Sequence, residues 1–229
     1  MKPQDLKSAR RRQTWSQQEL ADRLGLSQSY VAMLENGDRK LAPSLVRKVA
    51  RLLKLPPTVL PHSLSEKSST RETAQSLAEQ LASLGYPGFA YLRTRLVKRN
   101  PDEVLLSALA QPELEARLVE ALPWVLLSYP NVDASWLVRQ AKVRDLQNRL
   151  GFVVSLARQV AENKFPGRVE QLKKLEDVLE LSRLAKEDTL CRAALTPAEE
   201  RWLRENRSQG AKDWNLLTDW RSESLRYDA

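Results

Sequence analysis

The sequence predicts an all-α protein built in two parts, a small basic N-terminal domain and a larger helical C-terminal domain. Apolar residues recur at helical spacing in segment after segment, and no stretch keeps the sustained alternation of a half-buried strand. Capping residues and glycines punctuate those segments. Charge divides the chain as well: residues 1–62 hold 12 Lys and Arg against 5 Asp and Glu, and residues 63–229 hold 25 against 24. A basic module joined to a nearly neutral one is the electrostatic footprint of a nucleic-acid binder with a second role.

Composition excludes several classes. A chain of 229 residues allows one large domain or two small ones. It contains no run of about eighteen apolar residues, so no membrane span is expected. The N-terminus is polar and basic, with no hydrophobic segment to read as a signal peptide. Cys191 is the single cysteine, so no internal disulfide is possible, which fits a reducing cytoplasm. A cytoplasmic, soluble protein is the expectation.

The N-terminal elements follow from local signals. "LKSARRRQT" places Leu6 and Ala9 on one face of a first helix and Arg10, Arg11 and Arg12 near its C-terminal end. In "WSQQELADRLG", Ser16 is an N-cap with Glu19 three residues later, a capping box, and Leu20, Ala21 and Leu24 form the buried stripe. Gly25 ends that helix, and after Leu26 the next is capped by Ser27. The third helix, from "LSQSYVAMLENG", buries Val31 and Leu34 and ends at Gly37, leaving Gln28, Ser29 and Tyr30 on its exposed first turn. Two short helices joined this tightly are the signature of a helix-turn-helix. Pro43 and Ser44 start a fourth helix with Leu45, Val49 and Leu52 inward, and "LPPTVLP" adds a last turn, five helices in all.

The stretch "WSQQELADRLGLSQSYVAMLENGDRKLAPSLVRKVARLLKL" resembles the lambda-repressor-like (Cro/cI, XRE) family of DNA-binding domains over roughly residues 4 to 60. The Gln-Glu-Leu-Ala, Gly-Leu-Ser and Leu-Glu-Asn-Gly pieces fall at the family's spacing. The resemblance implies a recognition helix, here about Gln28 to Asn36, lying in the major groove of an operator. It also implies that Gln17 and Gln28 match two glutamines that brace each other, one touching a phosphate and the other reading adenine. The chain departs from the family at Leu41-Ala42, which precede Pro43 where many members have Pro-Ser-Leu directly after the loop.

The side chains suit those roles on physical grounds. A glutamine amide offers a donor and an acceptor together, as the N6 and N7 edge of adenine requires. Ser29 is small enough for close approach. Tyr30 reads either as a contact to the sugar-phosphate backbone or a thymine methyl, or as a half-buried aromatic packed on the preceding helix. Arg39, Lys40 and the run from Arg10 to Arg12, Arg12 foremost, read as phosphate contacts that give affinity and register without sequence information.

Past residue 61 the chain changes character. "HSLSEKSST" is polar and serine-rich and reads as a linker over 63–70. Helices are expected over about 71–84, ended by Gly85, then 88–99, 101–110 with Asn100 as cap, and 113–128, bent at Pro123. A long helix starts at Asp133 with Gly151 as its weak point, and others cover about 168–187, 197–207 behind Thr196, and 211–226. One histidine and one cysteine cannot assemble the usual zinc site, nor supply the base for a Ser-His or Cys-His nucleophile. Gly-rich phosphate loops are absent. No cofactor, no metal and no catalytic residue is expected, and the protein reads as a non-enzyme.

An interaction role fits the second domain better. Trp202, Trp214 and Trp220 crowd the last thirty residues, and Trp214, Leu217 and Trp220 fall at near-helical spacing. That face reads either as a helix docked on its own domain or as a contact for a dimer mate or protein partner. The stretch from "NPDEVLLSALAQPELEARLVEALPWVLLSYP" to "LQNRLGFVVSLA" resembles the helical C-terminal regions of large antitoxin-type regulators, some encoded beside nucleotidyltransferase-like toxins. The resulting expectation is a DNA-binding autorepressor, a homodimer whose C-terminal domain holds a cognate toxin. The alternative is a repressor whose C-terminal domain senses a small ligand.

Overall fold

Local signals at the start of the chain become four short helices and a closing turn. The computed structural model describes residues 1, 3–62, 72–92, 97–225 and 227, and the chain divides into two units, Met1–Ser63 and Leu64–Ala229. The linker expected over 63–70 lies outside the described residues.

The first unit contains α1 (Pro3–Arg12), α2 (Gln17–Leu24), α3 (Gln28–Asn36), α4 (Pro43–Leu52) and a 3₁₀ turn at Pro57–Val59. The fifth helix of the expectation is thus a single 3₁₀ turn. Leu6, Ala9, Leu20, Ala21, Leu24, Val31, Leu34, Val49 and Leu53 form one small core. The inward face of α4 differs from the expected one. Val46, Val49 and Ala50 are buried, with Leu53 just beyond, while Leu45 and Leu52 flank the stripe half-buried. All of these positions lie within one helical face about one residue apart in phase, and packing against the other helices chooses the rotation.

Among its described residues the regular structure of the second unit is helical apart from two strand pieces. Its helices are α5 (Ala74–Leu84), α6 (Pro101–Leu109), α7 (Ala116–Ser128), α8 (Ala134–Val143), α9 (Gln147–Lys164), α10 (Pro166–Glu180), α11 (Pro197–Asn206) and α12 (Gln209–Asp213). Short 3₁₀ turns cover Pro87–Phe89 and Ser222–Ser224. The pieces β1 (Asp188–Thr189) and β2 (Leu216–Leu217) pair in parallel, Asp188 opposite Leu216 and Thr189 opposite Leu217. Helix α9 is the axis of this unit, packed by α6, α7, α8, α10 and α12. Helix α6 is buried at all nine positions.

Four expected helices change, and the one expected over about 168–187 runs instead from Pro166 to Glu180. The long helix from Asp133 is two, because Asp145 adopts φ 54° between α8 and α9. A left-handed residue cannot continue an α-helix, so the break falls there, and Gly151 lies inside α9. The helix expected over 88–99 is a tighter turn. Ala90 N–H donates to the Pro87 carbonyl and Leu92 N–H to that of Phe89, and Phe89 is buried against Tyr86 with ring centres 5.5 Å apart. Residues 97–100 are non-helical, and 93–96 lie outside the described residues. The helix expected over 211–226 stops at Asp213, because Asn215 takes φ 50° and the chain then pairs as β2.

Buried and half-buried polar groups tie the irregular C-terminal segment to α9. Asn148 donates through Nδ2 to the Leu184 carbonyl at 2.9 Å and accepts from Leu184 N–H at 2.8 Å. Arg149 grips Asp188 with both ends of its fork, at 2.7 and 3.0 Å, and donates to the Leu109 carbonyl at 2.9 Å. The planar guanidinium matches the carboxylate in this bidentate way. Cys191 lies beside this pair, and burial pushes its thiol up to about 11, away from the thiolate that reacts.

Candidate nucleic-acid interface

The site begins with how two short helices are held at a fixed turn. Ser16 Oγ accepts from Glu19 N–H at 3.1 Å, and Glu19 Oε2 accepts from Ser16 N–H at 2.7 Å, so the start of α2 is closed reciprocally. Those hydrogen bonds hold the Glu19 carboxyl below the usual carboxylate range. At the other end Gly25 takes φ 71°, and Leu26 N–H donates back to the Ala21 carbonyl at 2.9 Å. Ser27 then caps α3 by accepting from Tyr30 N–H at 3.2 Å. Gly37 at φ 91° ends α3, the left-handed conformation for which glycine carries no steric cost.

This leaves Gln28 and Ser29 exposed on the first turn of α3. Ser29 Oγ is 3.1 Å from Ser27 Oγ. Tyr30 is half-buried and packs against the small core, so the second of its two expected readings describes its free state.

Beneath that tip runs a chain of hydrogen bonds. Arg10 donates from Nε to Glu35 Oε1 at 2.6 Å and from Nη2 to Oε2 at 2.8 Å, and its Nη1 donates to the Trp15 carbonyl at 2.6 Å. Gln17 Nε2 donates to Glu35 Oε2 at 3.0 Å, and Gln28 Nε2 donates to Gln17 Oε1 at 2.8 Å. The order is dictated by chemistry. An ionised carboxylate only accepts, so Gln17 must turn its NH₂ toward Glu35 and its oxygen toward Gln28. Gln28 is then left with one N–H and its carbonyl oxygen free.

The electrostatics keep Glu35 ionised. Burial pushes its carboxyl up, but the hydrogen bonds from Arg10 and Gln17 outweigh this and hold it below the usual range. The same pairing raises Arg10 further above its ordinary value. The Glu35 side chain is 0% exposed and that of Arg10 is 10% exposed. Arg10 therefore departs from the expected run of phosphate contacts, since its guanidinium is spent inside the domain.

Arg12, Arg39 and Lys40 are exposed, and among the described residues none of them is in an ion pair. Sequence reasoning missed two participants. Glu35 orients Gln17, and its signal was an acidic residue on the buried face of α3, one position past Leu34. Arg23 lies over the Trp15 ring at 4.3 Å, a cation-π contact that fixes the start of α2.

The C-terminal tryptophan face, read either as docked on its own domain or as a surface for a partner, is turned into its own domain. Trp214 and Leu217 are 4% and 5% exposed, within their own domain. A Cβ at Gly151 would overlap three atoms of the Trp214 ring, so the glycine of α9 makes the slot that the indole fills. Trp220 is half-buried and packs against the same core. With the helix replaced by β2 and a turn, the three side chains do not share one helical face. Among the described residues no group of His, Cys, Asp and Glu side chains is placed to hold a metal ion. Among the described residues no helix is long and apolar enough to cross a membrane.

A basic module, two capped helices at a tight turn and an exposed polar tip define the DNA-binding class. Residues 6–60 match the family model described as Helix-turn-helix. The N-terminal domain is a helix-turn-helix domain of the lambda-repressor-like kind, and the protein is a DNA-binding transcriptional regulator. No curated protein and no solved structure matches the chain.

Proposed function

We propose that the protein recognises a specific operator through Gln28, with Gln17 and Ser29 beside it, and acts as a repressor by occupying that site. The observation that supports this reading is the fixed polarity of Gln28. One free N–H and one free oxygen on an exposed amide match the N7 acceptor and N6 donor of adenine. Tyr30 adds apolar contact at the same edge. Arg12, Arg39 and Lys40 neutralise phosphates, which supplies affinity common to all sequences. The protein acts by binding, without a catalytic step of its own.

Pairing on DNA belongs to the same proposal. One helix-turn-helix reads few base pairs, so a homodimer on two half-sites about one helical turn apart is the economical arrangement. Light scattering of the full chain, free and with operator, checks this. A monomer in both states excludes it. An antitoxin role rests on the sequence resemblance of the C-terminal region, and no geometry of the site adds to it.

Substitution separates the two kinds of contact. Gln28→Ala lowers discrimination between operator and scrambled duplex by about 1–3 kcal/mol while leaving nonspecific affinity in place. Arg12→Ala, Arg39→Ala or Lys40→Ala weakens both duplexes alike and reduces the salt slope by about one. A Gln28→Ala protein with undiminished discrimination in a competition binding assay removes Gln28 from the reading role.

A further inference from the structure

We propose that the groove between α8 and α10 is a binding site for a single-chain anionic amphiphile, an alkyl chain ended by a carboxylate. The groove has a volume of about 640 Å³, within the range of about 300–1,000 Å³ typical of small-molecule sites. Val138, Leu172 and Leu175 make its floor. Val143 and Val178 stand on its walls 63% and 47% exposed, large apolar side chains that the domain leaves in water.

Its charge is of one sign. Arg139, Lys142, Arg168 and Lys174 line it, and no Asp or Glu does so among the described residues. This one-sided lining belongs to a region whose charges otherwise nearly balance, 25 basic against 24 acidic over residues 63–229. Lys174 pairs with Glu170 at 3.3 Å, whereas Arg139, Lys142 and Arg168 have no carboxylate partner among the described residues. A second copy of the chain would bring the same cations face to face, so self-association through this surface is opposed.

Arg168 singles out the head-group end. It occupies the first turn of α10, which carries no acidic residue. A cation there opposes the positive end of the helix dipole, so helix stability does not account for it, and a bound carboxylate would. From Arg168 the spacing to Leu172, Leu175 and Val178 keeps one face of α10, a run of about 15 Å from cation to open apolar wall. That sequence of groups is complementary to a charged head with a hydrocarbon tail. The groove lies wholly in the C-terminal unit and is independent of the proposed DNA-reading roles.

Calorimetric titration of the full-length protein with dodecanoate, below its micelle concentration, tests the site. Saturable binding at one site per chain is expected. Dodecyltrimethylammonium, with the opposite charge on the same tail, is expected to bind at least about tenfold more weakly. Arg168→Gln lowers dodecanoate affinity by about tenfold and leaves the binding of dodecanol unchanged. Val178→Glu, at an exposed position that keeps the fold by circular dichroism, abolishes dodecanoate binding. No saturable binding of dodecanoate, equal binding of the cationic analogue, or binding insensitive to Val178→Glu each overturns the proposal. So does a groove that takes an acidic amphipathic peptide but no dodecanoate.

Discussion

The two domains differ in how their helices meet water, and that difference decides what each can do. In the N-terminal domain every helix is short and keeps one face exposed, around a core of nine residues. Its most constrained feature is polar: a buried ion pair that runs through Gln17 to an exposed amide. The C-terminal domain encloses its central helices, α6 completely and α9 at most positions, and its polar ties serve to pin loops. A small core with a wet perimeter can present side chains rigidly to a partner. An enclosed one is a body that carries a groove.

The largest expected effect tests the polar feature. Glu35→Ala leaves the Arg10 guanidinium in a nearly closed site without its partner. Removing one member of a buried pair costs about 3–5 kcal/mol, a large share of what so small a domain has. Thermal or urea unfolding followed by a probe in residues 1–62 reads this loss, and DNA binding falls with it. The double variant Arg10→Met with Glu35→Leu separates stability from recognition, because an apolar replacement of a buried pair is often neutral or stabilising. It is expected to fold and to bind duplex DNA, yet to discriminate less, since nothing then fixes which way the Gln17 amide points. A double variant with full discrimination breaks the link between the ion pair and base reading.

The next effect falls on the other domain. Gly151→Ala puts a methyl into the Trp214 ring, so α9 and the C-terminal segment must separate. Overpacking of this kind costs about 1–3 kcal/mol. The transition of the C-terminal domain shifts down in a melting experiment, and that of the N-terminal domain stays in place. Equal shifts in both would show that the two do not unfold independently.

The contrast also explains what the sequence made legible. Helices with an exposed face have amphipathic spacing, and the caps Ser16, Ser27, Thr196 and Asn100 with the stops Gly25, Gly37 and Gly85 all serve as read. Enclosed helices lose that spacing. The break at Asp145 and the stop at Asn215 come from a left-handed Asp and Asn, which tolerate that conformation but announce it far less plainly than Gly. Trp214 fits a helical stripe on paper but fills a slot made by Gly151, sixty-three positions earlier. At the tip of α3 the exposure of Gln28 and Ser29 was legible, because the first turn of a short capped helix lies outside its buried stripe. The partnership of Arg10 with Glu35 was not, because it is a tertiary contact between helices 25 positions apart.

Acid gives the smallest and most graded test of the same contrast. Among the described residues each domain has one carboxylate whose two oxygens are both held by a single arginine, Glu35 by Arg10 and Asp188 by Arg149. In both the hydrogen bonds and ion pair outweigh the opposing push of burial, so both lie below their ordinary values. A carboxylate depressed in the folded state stabilises fully above its unfolded value, about 4, and loses that contribution as pH falls through the lower folded value. Destabilisation therefore sets in below about pH 5 and grows toward pH 3. The two domains are not expected to respond equally. Glu35 has no exposed side-chain surface, whereas the side chain of Asp188 is 35% exposed, so water screens the second pair and its protonation costs less. The small core also has less to lose before it unfolds. The N-terminal transition should move first in a pH series, and the Arg10→Met, Glu35→Leu double variant should flatten its acid limb while leaving that of the C-terminal domain unchanged. If the C-terminal domain unfolds first on acidification, the Glu35 pair does not govern the acid stability of the DNA-binding domain.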